Sequence, residues 1–257
     1  MLKDYHIHPQ VIKDMANFDA FANKAVEAGI TEVCITDHMP LDGTGANDRI
    51  PQGMVHKYCE DVRKIAEKYN GTLAVKCGIE IDYHPSIEED VYKALNEGEF
   101  DYVLGSSHLH VLSEIDIFGH SKTHNGYASA MLENTLSAAK TGLFDCIAHI
   151  DMYKWIFSNP ERFPLENDGF SENIHSELIE AVLNEIKAKG MFLEINPHFA
   201  TSTGNISNTY PSVSIVSLAM EKGIKFNYGS DAHTPHHVGI MLEELANHPV
   251  YGRALKE

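Results

Sequence analysis

Two short stretches, one near each end of the 257-residue chain, set metal-binding side chains two positions apart: His6-Ile7-His8 and Asp231-Ala232-His233, each following an apolar run. Alternate residues of an extended strand face the same way. Each pair therefore offers two donors in one direction, and four nitrogen and oxygen ligands converge if the two ends of the chain meet. Between them, other candidates close successive apolar runs: His38 after Thr36-Asp37, Glu80 and Asp82 in Gly78-Ile79-Glu80-Ile81-Asp82, His108 and His110 after Gly105-Ser106-Ser107, His149 and Asp151 after Ala148, and Glu194 with Asn196. One histidine at a strand end is usually a satisfied polar residue, but a repeat of the pattern on strand after strand points to a shared centre. His6, His8, His38, Glu80, His108, His149, Asp231 and His233 are more donors than one catalytic ion with an open position needs. They suit two or three ions bridged by carboxylate. Mixed imidazole and carboxylate donors favour zinc, manganese or iron over calcium or magnesium, whose sites prefer oxygen alone.

The elements that must position these residues alternate along the whole chain. Strand-like runs fall at 2–8, 31–38, 73–83, 101–109, 145–151, 192–196 and 225–233. Helical periodicity falls at 19–28, 54–69, 86–96, 127–141, 172–189, 211–222 and 235–247, several of these stretches closed by glycine. Alternating βα units predict a parallel sheet covered by helices. The first expectation is a distorted (β/α)7 TIM-like barrel formed as a single domain over 1–257, and the second is an open doubly wound sheet. No GxGxxG turn follows the first strand, which removes the usual dinucleotide reading. The longer connections, 39–53, 111–126, 152–171 and 197–210, all follow strands. They therefore share the end of the sheet where barrel enzymes keep their chemistry.

Formal net charge is −17, with 37 acidic and 20 basic residues. That opposes capture of a polymeric nucleic acid, which wants a basic groove. A small phosphorylated substrate stays open, since bound cations reverse the local charge. Sixteen histidines raise the prior for metal. No apolar run is long enough for a membrane helix and no leader is evident, so the cytoplasm is expected. The four cysteines lack paired spacing and read as buried thiols of a reducing compartment.

Taken in order, HIH, TDH, GIEIDY, SSHLH, AHID and SDAH resemble the motifs of the polymerase-and-histidinol-phosphatase (PHP) family of metallo-phosphoesterases, and within it the stand-alone histidinol-phosphate phosphatases. The resemblance runs from Asp4 to about Gly239. It implies a distorted barrel with a trinuclear centre. By that resemblance one ion takes His6, His8, Glu80 and Asp231; Glu80 bridges to a second held by His108 and His149; His38, His233 and Asp14, from the loop after the first strand, take the third. The implied activity is hydrolysis of a phosphate monoester, with L-histidinol phosphate as best substrate. By the same resemblance, a hydroxide bridging two ions about 3.5–4 Å apart would attack phosphorus in line. Glu80, Asp231 and His233 are the implied catalytic residues, and His233 or a neighbour helps to protonate the leaving group.

For substrate, Arg162 is the expected phosphate clamp because guanidinium matches phosphate oxygens, with Arg49 behind it. His198 and His110 are the further expected contacts, and His236 and His237 lie on the same barrel end. His56, His84, His120, His124, His175 and His248 read as surface or capping residues. The family's arginine in the loop after the sixth strand is missing from Asn196-Pro197-His198-Phe199-Ala200-Thr201-Ser202-Thr203. Three alternatives remain at this level: a phosphodiesterase or nuclease acting on a small nucleotide ester, an amidohydrolase-like hydrolase of C–N or C–O bonds, and a catalytically silent metal-binding domain.

Overall fold

The computed structural model describes residues 2–40, 49–108 and 119–256. Seven parallel strands lie in sequence order, β1 Leu2–Ile7, β2 Ile30–Ile35, β3 Ala74–Asp82, β4 Tyr102–Ser106, β5 Cys146–Ile147, β6 Phe192–Ile195 and β7 Lys225–Tyr228, each bonded to the next. The sheet closes on itself at one end. Ile7 bridges Ala232 in parallel, His8 N–H donates to the Ala232 carbonyl at 2.8 Å, and Asp231 N–H donates to the His6 carbonyl at 2.8 Å. The result is a (β/α)7 barrel, not the open doubly wound sheet.

Period-2 alternation explains how the strands divide their side chains. On β2, β3, β4 and β6 the donors and the small or polar residues near the carboxyl ends, Cys34, Gly78, Glu80, Asp82, Ser106 and Glu194, fall at even-numbered positions, while the odd-numbered aliphatics Val33, Ile35, Ile79, Ile81, Leu193 and Ile195 join the large core beneath the helices. Lower on the interior face, Cys34, Tyr102, Leu104, Cys146 and Ala148 form a smaller cluster, with Tyr5 and Phe192 against it. β1 slips register between Asp4 and Ile7. That irregularity lets Tyr5 join this lower layer while His6 heads the upper one. Gly78 must lack a side chain, since a Cβ there would stand 2.5 Å from Cys34 Sγ and 3.0 Å from the Tyr102 carbonyl oxygen. All four cysteines are buried free thiols.

The covering helices are α1 Phe18–Glu27, α2 Val55–Tyr69, α3 Glu88–Glu97, α4 His124–Thr141, α5 Tyr153–Phe157, α6 Ser176–Lys189, α7 His198–Thr203, α8 Val213–Glu221, α9 Leu242–Asn247 and α10 Tyr251–Ala254. α2 shows why they dock: Val55, Tyr58, Cys59, Val62 and Ile65 recur at helical spacing and are buried. The short α5, α7 and α10 have too few turns to register in the periodicity. The expected helix at 235–247 is instead a 3₁₀ turn, Pro235–His237, followed by α9. Positive φ at Gly239 and Met241 separates the two.

Asp4 ties the closure together. Its buried carboxylate accepts from Ser230 N–H at 2.9 Å, Gly239 N–H at 3.2 Å and His6 N–H at 3.4 Å. Asp4→Ala leaves these donors without partners, each loss costing on the order of 1–3 kcal/mol. Urea unfolding of the variant is expected to show a midpoint lowered accordingly, with the slope unchanged.

Candidate metal centre

The expected donors meet at the carboxyl ends of the strands. Glu80, on β3, is 1% exposed and lies against five imidazoles. Its Oε2 stands 3.3 Å from His6 Nε2, 3.3 Å from His8 Nε2 and 2.9 Å from His38 Nδ1. Its Oε1 stands 3.5 Å from His108 Nε2 and 3.3 Å from His149 Nε2. One carboxylate thus faces two separate sets of rings, one with each oxygen. Asp231, just past β7 where that strand meets β1, closes the first set, its Oδ1 at 3.3 Å from His8 Nε2 and 3.7 Å from His6 Nε2. A further group of donor atoms, from His8, His38 and His233, lies within 4.8 Å of one another.

The strands stop short of the expected boundaries, and that changes how two donors are aimed. His149 and Asp231 lie just past β5 and β7 in left-handed backbone, with φ of 23° and 54°. Such φ values are uncommon outside glycine and mark a local constraint. Asp231 and His233 therefore do not share a face by strand alternation. A turn delivers both, and the Asp231 carbonyl accepts from His233 Nδ1–H at 3.1 Å and from His198 Nδ1–H at 3.0 Å.

Polar satisfaction gives a test of whether cations fit. His6 Nε2, both ring nitrogens of His8, His38 Nδ1, His149 Nδ1 and Glu80 Oε2 are buried without a hydrogen-bond partner. Buried polar atoms are nearly always paired, and most of these converge on the centre. Charge agrees. Burial opposes ionisation of Glu80, yet His38, His6 and His108 outweigh it and hold the carboxyl well below its usual range. Burial is likewise overcome at Asp231 by His6 and His198. His8 is driven the other way, well below the usual imidazole value, by burial and then by His233 and His38. His6 is raised well above that value, its burial outweighed by Glu194, Asp231 and Glu80, so an ion bound there displaces a proton; ionised carboxylates and a neutral His8 ring fit divalent metal ions.

Other expectations need correction. Asp14 is exposed and caps the 3₁₀ turn Met15–Asn17, accepting from Ala16 N–H at 2.9 Å. Its carboxylate belongs to a helix start and to none of the donor groups. Arg162 is exposed, its guanidinium stacked 5.5 Å from the Trp155 ring and 5.1 Å from that of Phe163. Those aromatic faces hold it where a phosphate clamp was expected. Arg49 is buried and ion-paired to Asp82. His198 does reach the centre, grouped with Asp231 and His233, whereas His110 lies outside the described residues. His175 is buried rather than on the surface, between Asn125 and Ser129. His84 and His248 do cap backbone N–H groups. His237 stands 6.2 Å from the His198 ring, and His236 is exposed.

Two carboxylates had no role from sequence although both were visible at strand ends. Asp82 is buried and bonds to His108 Nδ1, Arg49 and Ser106 Oγ. Glu194 bonds to His6 Nδ1 at 2.6 Å. Strand alternation carried the signal, because Asp82 shares a face with Glu80, and Glu194 shares one with Asn196.

Fold and site together define a seven-stranded parallel barrel with a cluster of histidines and carboxylates, fit for divalent metal ions, at the carboxyl ends of its strands. The PHP domain family matches residues 4–198. The chain belongs to that family. Among curated relatives, a Deinococcus radiodurans protein described as a probable histidinol-phosphatase is 29% identical over 95% of this chain and 90% of its own length. The histidinol-phosphatase of Bacillus subtilis strain 168 is 25% identical over 94% of this chain and 97% of its own. The structure of a histidinol phosphate phosphatase from Lactococcus lactis subsp. lactis Il1403, complexed with zinc, L-histidinol and phosphate, superimposes with a TM-score of 0.71. It is 16% identical and covers 95% of this chain and 93% of that one.

Proposed function

We propose that the protein is a metal-dependent phosphoric monoester hydrolase that converts L-histidinol phosphate to L-histidinol and phosphate. The observation that carries the reaction class is Glu80, whose two oxygens face separate sets of imidazoles. The substrate rests on relatives named for that activity, which align with nearly the whole chain.

In this reading two or three transition-metal ions (zinc, manganese or iron) are held by His6, His8, Glu80 and Asp231, by Glu80, His108 and His149, and by His38 and His233. When bound, such ions supply an activated water and offset charge on the phosphoryl oxygens. Glu80 and Asp231 remain ionised between the sets, and burial keeps bulk water from competing. The nitrogen that holds an ion carries no proton, and the other nitrogen of the His233 ring donates to the Asp231 carbonyl. The acid role read for His233 therefore falls to His198, which is 41% exposed beside it at the mouth and hydrogen-bonded through Nδ1 to the Asp231 carbonyl. With Arg162 engaged by aromatic rings, ions and imidazoles take the part that arginine plays in other phosphate sites. The acidic surface also suits a small substrate that carries an ammonium group better than a polyanion. Among the described residues no helix is long and apolar enough to cross a membrane. A cytoplasmic enzyme built as one barrel unit over 1–257 completes the proposal.

Steady-state turnover of zinc- or manganese-loaded protein tests it, with L-histidinol phosphate, p-nitrophenyl phosphate and bis-p-nitrophenyl phosphate side by side. The expected kcat/KM on histidinol phosphate is about 10⁴ M⁻¹s⁻¹ or more and far above that on the generic monoester. Equal rates on all monoesters would remove the substrate assignment, and preference for the bis-ester would favour the diesterase.

A further inference from the structure

We propose that Glu194 is a positioning residue that fixes the ring tautomer of His6 and the backbone of His149, so that both imidazoles face Glu80. The proposal rests on the metal-centre reading and is independent of the substrate.

Glu194 sits in β6, 2% exposed, and belongs to none of the donor groups. Its Oε1 accepts from His6 Nδ1–H at 2.6 Å. Its Oε2 accepts from His149 N–H at 3.1 Å and from the Asn196 side-chain amide at 3.1 Å. A neutral imidazole carries one ring proton. A short bond to a carboxylate keeps that proton on Nδ1 and leaves Nε2 as the lone-pair donor. On His6, Nε2 is the atom 3.3 Å from Glu80 and 3.7 Å from Asp231, and it has no hydrogen-bond partner of its own. The second oxygen holds the N–H of His149 at its left-handed φ of 23°, the conformation that brings the His149 ring to the other Glu80 oxygen. Gly229 makes room for this arrangement. A Cβ there would collide with Glu194 Oε1 and stand 2.6 Å from the His6 Cβ.

Glu194→Gln separates positioning from packing because it conserves volume. The amide has one acceptor oxygen. The His149 N–H and the Asn196 amide both claim it, which turns the Gln NH₂ toward His6 Nδ1. His6 must then accept there, and its ring proton moves to Nε2, facing the centre. The opposite amide orientation sets NH₂ against two donors and releases His149. Outer partners of metal-binding histidines are worth about 10–100-fold in metal affinity.

Zinc titration of the metal-free proteins is the test, together with ¹⁵N NMR of the His6 ring at a pH where it is neutral and thermal unfolding of the metal-free forms. The expected result is about 10–100-fold weaker zinc binding in Glu194→Gln, with His6 changed from the Nδ1–H to the Nε2–H tautomer and an unchanged unfolding midpoint. Glu194→Asp, which keeps the charge, is expected to retain the wild-type tautomer and to recover part of the affinity. Wild-type zinc affinity in Glu194→Gln overturns the proposal, as does weaker binding with the tautomer unchanged. Failure of the wild type to bind zinc overturns it together with the metal centre. Failure to turn over histidinol phosphate touches only the substrate reading.

Discussion

Glu80→Gln is expected to lose bound metal and turnover together, with kcat/KM lower by at least about a thousandfold, equivalent to roughly 4 kcal/mol of transition-state stabilisation. The two oxygens of Glu80 face different rings: His6, His8 and His38 on one side, His108 and His149 on the other. An amide offers an acceptor to one set and N–H donors to the other, and it removes the one negative charge common to both. Losing a ligand shared between ions should exceed the 10–100-fold that second-layer partners command. Metal content by mass spectrometry and steady-state rates on the same preparation check the coupling. Full turnover with Gln at this position would end the bridging role.

Removal of metal with a tight chelator is expected to abolish activity and to lower the thermal midpoint, both reversed by zinc or manganese. An ion present at about a hundred times its dissociation constant stabilises the fold by about 2.7 kcal/mol. For a chain of this size that corresponds to a fall of about 5–10 °C. At His8 a proton cannot take the place of an ion, because burial and the neighbouring His233 and His38 hold its ring well below the usual pKa. Stripped protein is left with partnerless nitrogens on His6, His8 and His38 in a closed interior. Scanning calorimetry with and without added metal reads the shift, and identical midpoints would count against a bound ion.

Legibility from sequence followed the period of the side chains. His6, His8, His38, Glu80 and His108 were readable because β strands obey alternation, and a run that carries a donor at every second position near its end declares its interior face. The barrel followed from strands and helices taking turns. Asp231 and His149 do lie among the clustered donors, but not for the geometrical reason the sequence suggested. Each sits past its strand in left-handed backbone, which no alternation rule encodes. Asp14 misled because a loop carboxylate at a plausible spacing also makes a good helix cap, and the cap is what formed. Arg162 misled because the sequence does not show that Trp155 folds back to meet it. Glu194 was in view but looked redundant. Its role needs the partner from β1, 188 positions away, and pairing at that distance leaves no mark on a single strand's pattern.

The seam between β7 and β1 has a consequence for how the centre is born. His6 and His8 leave the ribosome well before Asp231 and His233, and the hydrogen bonds that join the two regions, such as Ser230 N–H to the Asp4 carboxylate, span 226 positions. Contacts that distant form late in folding. A nascent chain can present scattered histidines but not the closed cage, so capture of the full metal complement reports that the barrel has been completed. The ions then act as a latch on the last joint to close, and any damage that springs that joint open releases them.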